Sequence, residues 1–188
     1  MLTAACELFT ERGYTATTMQ AIAARAEVAA QTLYFTFETK RAILKELLDR
    51  EVAGDGAPVA TLDRPWVAEA LAAPPEQLLR TLVESTADIH ARVEPLLEVV
   101  RSAAADDPQI AELWQTNIGQ RHTVLAVFTG ALAAKNALRP GLNAVRAADM
   151  ALAVLSPENY RLLTRHQGWD GAAWADWAAE NLIRTLLK

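Results

Sequence analysis

The chain has 188 residues, 52% of them hydrophobic, with one cysteine and 18 basic against 23 acidic side chains, a formal net charge of -5. That length suits a small domain joined to a larger one with its own core; one cysteine excludes an internal disulfide, and no run of eighteen uncharged apolar residues is present to span a membrane. Met1 is not followed by a basic and then an apolar signal region, so a cytoplasmic location is expected.

Strand-like alternation is almost absent and the strong periodicities are helical, so the chain reads as all-α. Residues 2–12 predict an amphipathic helix with Leu2, Ala5, Cys6 and Phe9 inward, which favours a buried thiol. Gly13 stops it and, in a left-handed conformation, lets Tyr14 fold back toward Phe9. Residues 17–40, TTMQAIAARAEVAAQTLYFTFETK, follow as two short helices joined by a tight turn and the start of a third. That is the arrangement of a helix-turn-helix DNA reader. Thr17 is expected to cap the first of these helices in a T-x-x-Q box with Gln20. Ile22 and Ala26, then Val28, Leu33 and Phe37, supply apolar stripes for helices too short to stand alone. Thr39 caps a longer helix over 40–52, with Lys40, Arg41 and Lys45 along its first turns.

Gly54, Gly56 and Pro58 break the chain, which divides it into a reader over residues 1–50 and a second helical domain over 51–188. Further helices are expected over 66–72, 75–93, 94–104, 106–138, 143–155, 156–166 and 170–188. Glu94-Pro95 and Ser156-Pro157 open two of them, while Arg139-Pro140-Gly141 and Gly168 are the expected stops. Within their apolar stripes lie four polar residues, Thr86, His90, Asn117 and Arg121, with Trp66, Trp114, Phe128 and Met150 available as walls. A cavity lined by apolar groups and a few converging polar ones is the usual form of a small-molecule site. Any one of the polar four alone reads more simply as bonded to another or reaching solvent at a helix edge, and an aromatic at this spacing as plain core. Met150, Leu152, Val154, Leu155, Leu162, Leu163, Trp174, Trp177, Leu182, Ile183 and Leu186 offer more apolar surface than one side of two helices buries, which suggests a partner. No phosphate-binding loop, G-x-S-x-G elbow, H-E-x-x-H or paired cysteine occurs, and His90, His122 and His166 lack metal spacing. An enzyme is therefore not expected, and no cofactor or metal is called for.

The run LFTERGYTATTMQAIAARAEV followed by TLYFTFETKRAIL combines F-x-x-x-G-Y, T-T, I-A, A-x-V, T-L-Y-x-x-F and K at coherent spacings. It resembles the amino-terminal domain of the TetR family of bacterial transcriptional regulators. The remainder, most clearly LSPENYRLLTRHQGW, more loosely resembles that family's helical ligand-binding and dimerisation domain. The resemblance implies a recognition helix over residues 29–35 in the major groove, with Thr18, Tyr34 and Lys40 at phosphates and Ala30, Gln31, Thr32, Phe35 and Thr36 near the bases. The chemistry agrees: Gln31 can bond an adenine edge twice, and Phe35 or a threonine methyl can touch a thymine methyl. Phe37 is kept as core.

Two residues depart from the family pattern: Glu27 stands where a glycine is usual in the turn, and Ala29 where a serine or threonine caps the recognition helix. The basic arm that usually precedes the first helix is not found in MLTAACELF. Residues 1–50 balance six basic against six acidic side chains, so modest, salt-dependent affinity is expected. The resemblance implies a homodimeric repressor that leaves a palindromic, double-stranded operator when a small-molecule effector binds. The alternatives are an activator, or a helical small-molecule-binding module with a weakened reader.

Overall fold

Residues 1–54 and 59–188 are described by the computed structural model; the regular elements among them are helical, apart from an isolated antiparallel bridge between Leu138 and Leu187. Gly56 and Pro58, two of the expected breakers, lie outside the described residues. The chain divides into two compact units, Met1–Ala57 with Arg92–Asn117, and Pro58–Ala91 with Ile118–Lys188. Residues 92–117, expected in the second domain, thus cluster with the first.

In the first unit, α1 (Leu2–Ala16), α2 (Met19–Arg25), α3 (Ala30–Phe37) and α4 (Lys40–Ala53) pack around Leu8, Phe9, Ile22, Leu33, Ile43 and Leu44. Gly13 interrupts α1 at φ 78, ψ 171, and Tyr14 stacks on Phe9 with ring centroids 5.7 Å apart, as the F-x-x-x-G-Y spacing leads one to expect. The cap of α2 differs from expectation. Thr17 is buried, its hydroxyl lying 2.8 Å from the Gly13 carbonyl oxygen and 3.1 Å from that of Leu8, acceptors left available where α1 is interrupted. Thr18 is the cap instead and accepts from the Ala21 N–H at 3.1 Å, so Gln20 makes no capping box. Thr39 caps α4 as expected, accepting from Ala42. Gly54 ends α4 at φ 78, and the Arg92 guanidinium, donating to the Glu51 carbonyl at 3.0 Å, sits so close that a Cβ at 54 would lie 2.8 Å from it.

The two longest helices, α6 (Pro75–Ala103) and α7 (Pro108–Ala134), contribute residues to both units, and α5 (Pro65–Ala72) precedes them. The expected break at Glu94-Pro95 is absent, since Pro95 lies inside α6. An internal proline costs about 3 kcal/mol; burial of Val93, Leu96, Leu97 and Val100 around it offsets that cost. α7 ends before its expected stop because Asn136, at φ 54, takes the left-handed position while the Ala137 N–H donates to the Leu132 carbonyl. In the second unit, α8 (Ala144–Val154), α9 (Pro157–Arg161, continued by a π-helical turn Leu162–His166) and α10 (Gly171–Leu186) follow. Asn143, Ser156 and Asp170 cap them, each accepting from the backbone N–H three residues on. The core is built from Leu79, Leu82, Phe128, Ala148, Trp174 and Leu182.

Candidate nucleic-acid interface and effector site

The helix α3 is held by one fully buried side chain, Leu33, while Gln31, Thr32, Tyr34, Phe35 and Thr36 are exposed and Ala30 is half-buried. Phe35 is 91% exposed and Tyr34 42%, whereas Phe37 is half-buried against the unit as expected. Tyr34 reaches back to α2, its hydroxyl 3.5 Å from the Gln20 amide nitrogen, and Thr36 donates to the Thr32 carbonyl at 2.9 Å. Two backbone departures frame the helix. Glu27 enters the preceding turn at φ 55, and Ala29 stands at the N-cap without a side-chain bond. At the other end Glu38 adopts φ 58, ψ -48 while the Thr39 N–H donates to the Phe37 carbonyl, a γ-turn of the rare, strained kind.

Four positive charges of this unit are already engaged. Arg25 bridges Glu7 at 2.9 Å and Glu11 at 3.2 Å, Arg41 lies 3.4 Å from Glu112, and Lys45 pairs with Asp49. Lys40 donates to the carbonyls of Tyr14 at 2.7 Å and Thr17 at 2.8 Å, with its ammonium 4.0 Å from the centroid of the Tyr14 ring. It thereby sits as a cation at the end of α1, and desolvation lowers its pKa against the raising effect of Asp107. One of its three N–H groups is left for another acceptor. The half-buried thiol of Cys6 is pushed up by burial and by Glu51 and Glu7, which keeps it protonated and unreactive.

Of the residues expected around a small molecule, Thr86, His90, Arg121, Phe128 and Met150 fall in the second unit, and Trp114 and Asn117 in the first. Thr86 donates to its own helix at the Leu82 carbonyl, 2.7 Å away. Phe128 is fully buried against Trp66, centroids 5.9 Å apart, and Met150 is half-buried on the same core. His90 is 2% exposed, with Nε2 3.0 Å from the Leu155 carbonyl oxygen at the end of α8. Desolvation drives its pKa down to about 4; the Leu155 carbonyl pulls the other way and the charge of Arg121 adds to the fall, so the ring is neutral at pH 7. Its ring lies 5.3 Å from that of Tyr160, tilted by 48°, and 5.8 Å from that of Trp174, with the planes at 72°. Burial lowers the pKa of Arg121, while Glu158 offsets part of that effect.

Residues 1–47 match the family model described as bacterial regulatory proteins, tetR family. The amino-terminal domain is a tetR-family domain. Among curated proteins no sequence matches the chain. Solved structures are similar over nearly the whole length. The SmeT–triclosan complex superposes with a TM-score of 0.76 at 18% identity, covering 100% of this chain and 90% of that one. FadR from Bacillus subtilis in complex with stearoyl-CoA gives 0.76 at 18%, covering 97% and 95%. NalD, the secondary repressor of the MexAB-OprM multidrug efflux pump in Pseudomonas aeruginosa, gives 0.70 at 19%, covering 100% and 94%. Similarity at these identities shows that the whole chain shares the helical fold of these structures.

Around this tetR-family domain, sequence reasoning missed the use of Lys40 on two carbonyls and the turn at Glu38. Neither leaves a local pattern, because the Lys40 bonds join residues 23 and 26 positions apart. In the second unit it missed Tyr160 and Trp174 as neighbours of His90. Of the apolar residues counted toward a partner, Leu155, Trp174, Leu182 and Leu186 are buried within the chain itself. Met150, Leu152, Val154, Leu163, Trp177 and Ile183 stay half-buried and Leu162 exposed. Among the described residues no helix is long and apolar enough to cross a membrane, and no three metal-ligating side chains cluster.

Proposed function

We propose that the chain is a ligand-responsive transcriptional repressor, acting in the cytoplasm, that binds a palindromic operator as a homodimer and releases it when a small molecule binds. Phe35 carries this reading. A phenyl ring 91% exposed on a helix of a tetR-family domain, flanked by Gln31, Thr32 and Thr36, serves no packing purpose, and a groove floor would cover it. Ala30, Gln31, Thr32, Phe35 and Thr36 then face the bases, while Thr18, Tyr34 and the remaining N–H of Lys40 meet phosphates. With Arg25, Arg41 and Lys40 partly engaged, modest affinity with a clear salt dependence is expected. A second copy would cover the half-buried residues of α8 to α10, among them Leu152, Leu163, Trp177 and Ile183. A twofold axis there sets the two readers about 34 Å, or a multiple of it, apart.

The effector residues of this proposal are Thr86, His90, Arg121, Phe128 and Met150, all of the second unit. The SmeT and FadR structures hold small molecules and NalD is a repressor, which supports the same reading here. Release is a population shift: the effector must prefer the conformation whose readers are wrongly spaced, and that preference limits how far DNA binding falls. The test is selection of bound sequences from a random duplex pool, with the winners repeated across a salt series. A palindrome is expected, and Gln31→Ala relaxes its preference at one base pair by about 1 to 3 kcal/mol. No enrichment would favour a second reading, a binding module with a weakened reader, for which the uncapped Ala29 and the left-handed Glu27 speak.

A further inference from the structure

The core of the second unit contains two buried polar atoms without a hydrogen-bond partner, His90 Nδ1 and Trp174 Nε1. They belong to rings in contact, with centroids 5.8 Å apart and planes at 72°, and both rings pack on Tyr160 at 5.3 and 5.0 Å. Their chemical roles are fixed. A carbonyl can only accept, so the hydrogen on His90 lies at Nε2, 3.0 Å from the Leu155 oxygen, and in the neutral ring Nδ1 is left as an acceptor. The indole N–H of Trp174 can only donate. The cluster therefore presents one acceptor and one donor in an apolar, aromatic setting, and each is costly to bury unpaired.

A carbonyl could satisfy only Trp174, an ammonium only His90, and a hydrocarbon neither. A hydroxyl does both, donating to one nitrogen and accepting from the other. The half-buried guanidinium of Arg121, close enough to oppose protonation of His90, also works against a cationic occupant. We propose that His90 and Trp174 are the specificity pair of the effector site, and that the effector is an uncharged phenol or alcohol whose hydroxyl donates to His90 Nδ1 and accepts from Trp174 Nε1–H. Its apolar body lies against the rings of Tyr160 and Trp174. This inference rests on the reading that the second unit binds the effector.

The test uses the full chain without DNA and three probes of similar size: phenol, toluene and benzylammonium. Calorimetric titration is expected to give phenol at least about tenfold tighter binding than toluene, because toluene leaves both buried nitrogens unpaired, and no binding of benzylammonium. Trp174→Phe keeps a ring but removes the donor, and should bring phenol down to the level of toluene. Should that variant fold poorly, the indole N–H resonance of Trp174 in the unaltered chain decides: phenol must shift it and toluene must not. Equal affinities, a phenol preference that survives in Trp174→Phe, or no binding of either probe would overturn the proposal; in the last case the pair holds a trapped water only. Preferential phenol binding that fails to release operator DNA would support this site and count against the release mechanism instead.

Discussion

Replacing Lys40 with methionine keeps the apolar stem and removes the ammonium that holds the Tyr14 and Thr17 carbonyls at 2.7 and 2.8 Å. A hydrogen bond to a charged group contributes about 1.5 to 3 kcal/mol, and half-burial places these at the lower end. The loss is also shared unequally. The Tyr14 carbonyl keeps the Thr17 N–H at 3.2 Å, so the Thr17 carbonyl is the one left to find water. The ammonium 4.0 Å from the Tyr14 ring centroid adds about 0.5 to 1 kcal/mol. Since these parts are not additive, the expected cost is about 2 kcal/mol, read as a fall of roughly 4 to 8 °C in the melting temperature for a chain of this size. In urea the midpoint should drop at unchanged slope. Operator affinity should weaken about equally for all sequences, and the salt slope should fall by roughly 1 per subunit as the third N–H loses its phosphate. An unchanged melting temperature would refute the clamp. An unchanged slope would refute the phosphate contact.

Glu38→Gly is expected to stabilise the chain by about 1 kcal/mol, because relief of a strained turn returns roughly 1 to 3 kcal/mol and the freer unfolded glycine takes back about 0.5 to 1. Glu38→Ala, which keeps a Cβ at φ 58, should change the urea midpoint little; a midpoint lowered by glycine would show that the turn is unstrained. His90 makes stability fall with acid. Its folded pKa of about 4 lies below the ordinary 6.5, so the unfolded chain takes up the proton first. The stabilisation is complete above about pH 6.5 and is lost as pH falls toward 4, a difference of roughly 3 kcal/mol. His90→Gln can still donate to Leu155, and unfolding curves between pH 7 and 4.5 should lose that slope.

What could be read along the chain was whatever is settled within one or two helical turns. Gly13, the cap at Thr39, the helix starts near residues 143, 156 and 170, and the stripes containing Leu33 and Phe128 stand where their spacing puts them. Each depends on φ/ψ preference or on side chains meeting the backbone a few residues away. The surface residues of α3 were legible for the same reason, since one buried leucine orients a two-turn helix.

Where two local signals competed, burial chose between them. Thr17 and Thr18 are equally good caps in isolation, and Thr17 lost that role because it is packed where it can serve carbonyls of α1. Pro95 is a helix breaker by itself, yet the apolar neighbours on either side carry α6 through it. The approach of His90 to Leu155 and Trp174, 65 and 84 positions along the chain, left no trace in periodicity, nor did the return of Lys40 to α1. By itself, then, the sequence determined the helices, their surfaces and the reader motif, because those are properties of short stretches. Which polar atoms are paired and which remain unpaired in the core was decided only by tertiary structure, because that depends on what distant segments bring beside each other once water has been removed.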